Sequence, residues 1–357
     1  MKPLLGRQDT LGILIVMLVL AVFPLVLDEF RLNLMGKYLA YAFVAVGIVL
    51  TWGYGGMLSL GQGIFFGIGG YMMAMFLKLE ASRPELPDFM VWSSVEALPL
   101  WWEPFHSLTF TVLALLVLPA LLGYTVSYAV FKKRVSGVYF AIVTLALAMM
   151  VTVLSVGQQG YTGGANGITD FRTLLGWDIL SPTSKLKIYL VQVLLLGVVM
   201  ALASAMLQSR YGKVLVAIRD REDRVRFSGY DTAQYKALAF TVAAVFSSIG
   251  GALYCLQVGL IAPGVVGVVA SIEMVVYAAV GGRLSIPGAV IGAVVVGFLK
   301  SYLSETFPEI WLYFLGAVFI LVVVALPNGL AGLADRYLRR AAHAAPADAG
   351  TAAQATR

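Results

Sequence analysis

From Leu108 to Phe131 the chain runs through 24 residues without a charged side chain. A helix needs about 17–25 mostly apolar residues to cross the hydrocarbon core of a bilayer. Comparable apolar runs recur near 11–27, 35–51, 64–79, 137–156, 188–207, 237–257, 270–281, 287–303 and 310–326. Together they predict ten spans, of which 270–281 is the shortest. Little polar sequence remains. Lys, Arg, Asp and Glu make up 12% of the 357 residues, against about 25% in an ordinary soluble domain. So few charges cannot cover the surface of a soluble fold of this length. A soluble enzyme, a disordered chain and a secreted disulfide scaffold are excluded. A β-barrel is excluded too, because the apolar runs are continuous rather than alternating. The expected fold class is an all-α polytopic membrane protein.

Few residues are left for chemistry. Cys255 is the single cysteine and lies within an apolar run, so neither an intrachain disulfide nor a redox pair is available. His106 and His343 are the two histidines, both in polar stretches, and they supply no metal cluster. The first apolar run follows Lys2 and Arg7, as in a signal peptide. No small-residue cleavage site precedes Asp28-Glu29, so an uncleaved first helix is expected.

Basic residues set the orientation. With the N-terminus in the cytoplasm, 17 of the 25 Lys and Arg fall in inner segments and eight in outer segments or span ends. Seven acidic residues fall inside, 11 outside, and Glu273 within a span. Ten spans with both termini cytoplasmic therefore fit best. The outer segment Glu80–Ser107 is acidic and carries Trp92, Trp101 and Trp102. It reads as an interfacial aromatic belt with a solvated loop, with docking of an extracytoplasmic partner as the alternative. The glycine-rich outer segment 158–171 reads either as an entrance gate or as a plain connection. Residues 335–357 are expected to form a disordered cytoplasmic tail after one transmembrane domain, 1–334.

Five spans lie in 11–156 and five in 188–326, so the second half enters the membrane from the opposite side. That is the topology of an inverted repeat. Each half contains an uncharged, glycine-rich interruption: Gly53–Gly63 (GYGGMLSLGQG) and Gly259–Val269 (GLIAPGVVGVV). Ordinary loops carry charge. Unwound backbone at membrane depth is tolerated where it lines a cavity or is buried in protein, so two broken helices in matching places point to a pathway. Gly67, Gly69 and Gly70 read instead as helix-packing positions.

Candidate pathway residues are Tyr54, Ser59, Gln62, Tyr139, Thr144 and Gln257, which are neutral hydrogen-bonding groups suited to a small neutral solute. Each is also a candidate interhelical hydrogen bond. Glu273 is the only acid deep in an apolar run. An intramembrane carboxylate suggests function. It has a second reading, in which Ser271 caps the helix and Glu273 occupies its first turn.

Residues 208–236 form the one long charged stretch, with seven basic and four acidic residues. Tyr211–Phe227 is expected to form one helix, ended by Gly229. Val214, Leu215, Ile218, Val225 and Phe227 offer apolar anchors. Such a helix lies along a membrane surface or inserts into a partner's groove. The mixture of Asp220, Glu222 and Asp223 with Arg219, Arg221, Arg224 and Arg226 favours a protein partner.

The stretches GYGGMLSLGQGIFFGIGGY at 53–71, GVYFAIVTLALA at 137–148, YTGGANGITDF at 161–171, AIRDREDRVRFSGYD at 217–231, SIEMVVYAAVGGR at 271–283 and the run 307–333 resemble permease subunits of ABC importers of the branched-chain amino acid class. Within that class they are most similar to the second permease of bacterial urea importers. One departure is LSIPG at 284–288, where a glycine-threonine turn is usual; Pro287 is expected to start the ninth helix there. The resemblance implies a permease subunit in the bacterial inner membrane, transporting urea or, alternatively, branched-chain amino acids. It implies that Arg219, Asp220, Glu222, Arg224 and Gly229 belong to a coupling helix docked on an ATP-binding subunit. Expected partners are a second permease subunit, two ATP-binding subunits, a periplasmic substrate-binding protein and the lipid bilayer, with no nucleic acid. No GxxxxGK[ST] loop occurs, so ATP and magnesium belong to the partners and the chain itself is not an enzyme. A stand-alone transporter or channel is the remoter alternative, since proton coupling calls for more ionisable groups than Glu273.

Overall fold

The computed structural model describes residues 7–325 and 329–333. The proposed tail, 335–357, lies outside the described residues. Thirteen α-helices occur among them. They are α1 (Arg7–Val26), α2 (Glu29–Ile48), α3 (Gln62–Ala81), α4 (Asp88–Trp92), α5 (Leu108–Lys132), α6 (Val138–Gly157), α7 (Gln159–Thr162), α8 (Pro182–Gln208), α9 (Arg210–Phe227), α10 (Thr232–Val258), α11 (Val268–Gly281), α12 (Ile286–Thr306) and α13 (Trp311–Ala325). A helix occupies each of the ten predicted ranges. Among the described residues, seven helices are long and apolar enough to cross a membrane. α1 and α11 contribute shorter apolar stretches.

Helix α10 stands at the centre, packed on α2, α3 and α5, while α2 is in turn enclosed by α8, α10, α11 and α12. Each half of the chain thus wraps one helix of the other. The close crossing of α3 and α10 depends on missing side chains. A Cβ on Gly251 would lie 1.8 Å from the Phe66 carbonyl oxygen, and one on Gly69 would lie 2.0 Å from that of Ser248. Small residues let backbones approach where apolar burial gives no drive within lipid. Tyr41 stacks on Phe66 at 5.1 Å and meets Tyr254 and Tyr277 at 5.6 and 5.4 Å, tying α2, α3, α10 and α11 together.

At the Trp101 end the acidic segment is exposed at most positions and is held by a few specific contacts. Lys78 pairs with Asp88 at 2.9 Å, and Trp102 packs edge-on against Phe105. Glu80 accepts hydrogen bonds from the amides of Leu175 and Gly176 at the turn of a small hairpin, β1 (Thr173–Leu174) and β2 (Trp177–Asp178). Pro287 sits in the first turn of α12, behind Ser285, whose hydroxyl accepts from the Gly288 amide.

Candidate translocation and coupling site

The first interruption begins as a widened turn, Val49–Tyr54, and stays irregular until Gln62 opens α3. Here the glycines admit neighbours. A Cβ on Gly53 would lie 1.8 Å from the Arg283 carbonyl oxygen. Gly56, at φ +68°, leaves room for the Arg219 side chain, a backbone conformation that favours glycine. Tyr54 Oη donates to the Leu284 carbonyl at 2.9 Å. Thr144 of α6 accepts from the Leu60 amide at 3.1 Å. Ser59, also buried, accepts from the Gly61 amide.

Gly259, at φ +81°, ends α10 and opens the second interruption. Ile261 and Ile168 exchange backbone hydrogen bonds of 2.8 and 3.1 Å, so segment 158–171 is pinned to this break. Val266 lies against Gly63 and Gly67, and Ser271 also reaches Gly63. The two interruptions therefore meet along the first turns of α3. Gln62 is fully buried at this junction. Its Oε1 accepts from Ser247 of α10 at 3.0 Å, while its Nε2 has no hydrogen-bond partner.

Three predicted pathway residues, Gln257, Tyr139 and Glu273, have other surroundings. Gln257 is buried against Gly36, and its Nε2 donates to Asn33 at 3.0 Å. Tyr139 is 74% exposed on the outside of α6. Glu273 is buried and pairs with Lys300 of α12, with Tyr277 Oη at 3.4 Å. The capping reading of Glu273 is overturned. Gly267 is the N-cap, so Ser271 already lies inside α11 and Glu273 falls beyond its first turn.

The helix expected over Tyr211–Phe227 is present as α9 but is broken by a kink. Arg221 leaves helical geometry (φ −152°, ψ 81°). The bend accommodates two anchors. On one side Arg219 Nη1 donates to the Gly53 carbonyl at 2.8 Å and its guanidinium pairs with Asp220 at 3.0 Å. On the other, Glu222 gathers Arg226, Thr232 and Lys236 at the start of α10. Burial pushes the Glu222 carboxyl up, but Lys236, with Thr232 and Arg226, outweighs it and holds the pKa below the usual value. Leu215 and Ile218 are buried within the chain itself and are not free to anchor a partner, whereas Phe227 is 92% exposed. Asp220, Arg224 and Gly229 are exposed as well.

The family model described as the branched-chain amino acid transport system permease component matches residues 30–323. The chain belongs to this family. It is 26% identical to the high-affinity branched-chain amino acid transport system permease protein LivM of Escherichia coli K12, across 89% of this chain and 74% of that protein. BraD of Pseudomonas aeruginosa, named likewise, is 22% identical over 82% of this chain and 91% of its own length. The ribose import permease protein RbsC of Escherichia coli K12 is 25% identical over 54% of this chain. No solved structure matches the chain. The family and the apolar helices agree on a multi-pass membrane permease, a transport subunit rather than an enzyme.

Within this permease, sequence reasoning passed over Ser247, Lys300, Arg283 and Asn33. The small residues Ser247, Ser248, Gly250 and Gly251 were a legible sign of a helix crossing. Lys300 read as a span end, and nothing local linked it to Glu273.

Proposed function

We propose that the chain is the membrane-spanning subunit of an ATP-driven importer. It carries solute by alternating access between two inverted five-helix halves of ten spans, with the basic Arg219 end and both termini in the cytoplasm. The observation that carries the reading is the hydrogen bond from Arg219 to the Gly53 carbonyl. It ties the charged segment directly to the broken helix. A partner ATP-binding subunit docking on the exposed Asp220, Arg224 and Phe227 would move α9, and Arg219 would pass that motion to the first interruption. Two-state rearrangement of packed helices is an ordinary route for such coupling. The reciprocal wrapping of α2 and α10 supports the inverted halves. A second permease subunit and a periplasmic binding protein complete the assembly, as the family membership suggests.

For the substrate, branched-chain amino acids are supported by the names of LivM and BraD. Urea is the second reading. It is supported by the resemblance of 217–231 and by the neutral hydrogen-bonding residues Ser59, Gln62 and Thr144 where the two interruptions meet. Uptake of labelled leucine against labelled urea by the reconstituted complex decides between them. Replacing Arg219, Asp220 and Arg224 together should abolish ATP-dependent uptake while leaving membrane insertion intact. Normal uptake by that variant would sink the coupling reading.

A further inference from the structure

Gly53 is held from two sides. Arg219 of α9 donates to its carbonyl at 2.8 Å, and the Arg283 carbonyl oxygen stands 1.8 Å from where a Cβ on Gly53 would lie. Arg283 and Leu284 belong to the short turn between α11 and α12. Tyr54 fastens the same turn through the Leu284 carbonyl, so α9 and this turn converge on one end of the first interruption. The two arginines differ in what they find there. Arg219 is satisfied by Gly53 and Asp220. The half-buried Arg283 guanidinium lies over the Trp52 ring, 5.6 Å from its centroid, and meets no carboxylate among the described residues. Stacking uses the face of a guanidinium and leaves its N–H edge open, a fork that fits a carboxylate. Beside it Leu284 is 41% exposed.

We propose that the α11–α12 turn is a second arm of the coupling surface, on which Arg283 takes a carboxylate of the ATP-binding subunit and Leu284 packs against that subunit. The inference rests on the reading of α9 as the segment that docks this partner. A partner seated on Asp220 reaches the turn across the width of Gly53. Charge selects an acidic side chain, because Arg219 is already neutralised by Asp220 while Arg283 is not. A protein fits better than a lipid phosphate, since the turn is bounded by the first interruption on one side and by residues 329–333 on another, where a Cβ on Gly329 would lie 2.5 Å from the Gly282 amide. The arm gives the second half a link of its own. α11 follows the second interruption directly, so motion of the partner would reach both interruptions rather than the first alone.

The test is assembly of the importer complex from its permease and ATP-binding subunits. Arg283→Met keeps an apolar side chain over Trp52 but removes the donors and the charge. It should weaken co-purification of the ATP-binding subunit by about tenfold, with the permease's own unfolding temperature unchanged. Arg283→Lys retains the cation and gives a carbodiimide an amine to couple to a neighbouring carboxylate. In the assembled complex it should crosslink to the ATP-binding subunit, with the link mapped to position 283 by mass spectrometry. Undiminished assembly of Arg283→Met, or no crosslink from position 283 to that subunit, would overturn the proposal. So would loss of co-purifying phosphatidylglycerol from Arg283→Met with assembly intact, which would place the arginine against lipid. Phe227→Asp separates this failure from failure of the α9 reading. It weakens assembly if α9 docks the ATP-binding subunit and leaves assembly unchanged if α9 does not.

Discussion

Lys300 Nζ lies 2.6 Å from Glu273 Oε2, joining α12 to α11 inside the apolar bundle. The Glu273 side chain is 6% exposed and that of Lys300 28%. Lys37 of α2 interacts electrostatically with both. Removing one partner of a buried pair leaves the other charge stranded, which costs 3–5 kcal/mol when burial is complete. With Lys300 still partly solvated, Glu273→Gln should cost about 3 kcal/mol, near the lower end. The double variant Glu273→Gln/Lys300→Met should recover most of that loss. Thermal unfolding of the four proteins in one detergent closes the cycle, and simple additivity would show that the pair is not coupled.

Arg219 serves two acceptors at once, the Gly53 carbonyl and the Asp220 carboxylate. Lysine presents a point charge rather than a planar fork and cannot hold both in the same geometry. Arg219→Lys should therefore lower ATP-dependent uptake severalfold, and Arg219→Ala should lower it further. Insertion and assembly with the ATP-binding subunits should survive in both. Reconstituted ATPase and uptake measured side by side would expose the uncoupling. Uptake per ATP unchanged from wild type would argue against Arg219 as the link.

Glu222 gives the α9–α10 junction an acid limit. Its folded pKa lies below its unfolded value, so the stabilisation is fully present above the unfolded pKa, ordinarily 4.5. It is lost as pH falls through the folded value. The apparent unfolding temperature should drop on acidification from pH 5 downward, and Glu222→Gln should flatten that dependence while lowering stability at neutral pH. Parallel pH profiles for the two proteins would refute the assignment.

Phe227, 92% exposed beside Asp223 and Arg224, is the kind of aromatic anchor that carries interfaces. Phe227→Asp should weaken assembly with the ATP-binding subunit by about 2 kcal/mol or more, roughly thirtyfold. The unfolding temperature should stay unchanged, because the side chain is almost wholly exposed. Co-purification at graded subunit concentrations measures the shift.

The helices were legible because a charge-free run of spanning length has few other structural solutions. Both interruptions were legible for the complementary reason, since glycine without charge marks neither a helix core nor a solvated loop. Partnerships were not. Lys300 meets Glu273 only through the register of two packed helices, which no local pattern encodes. Ser271 and Gly267 are both competent N-caps, and the choice of Gly267 moved Glu273 out of the first turn. α6 is so uniformly apolar that its sequence does not reveal which face is buried, and Tyr139 fell on the exposed one. The bend at Arg221 arises because Glu222 finds Lys236 and Thr232, residues that follow ten or more positions later.

Glycines of different kinds should separate cleanly by stability. A methyl on Gly251 would stand 1.8 Å from the Phe66 carbonyl oxygen and 3.0 Å from the Gly70 amide. Both obstacles are backbone, so neither can swing aside as a flexible side chain would. Overpacking of this kind typically costs 1–3 kcal/mol and more when backbone must shift. Gly251→Ala should therefore cost about 3 kcal/mol and loosen the α3–α10 crossing on which the Gln62–Ser247 contact rests. Gly264, in the second interruption, has nothing among the described residues within 4 Å of an added Cβ. Its backbone is outside the left-handed region, and Gly264→Ala should be neutral or slightly stabilising through the unfolded chain. Thermal unfolding of the two variants beside wild type reads the contrast directly. Equal destabilisation would mean that the α3–α10 contact is looser than these distances require.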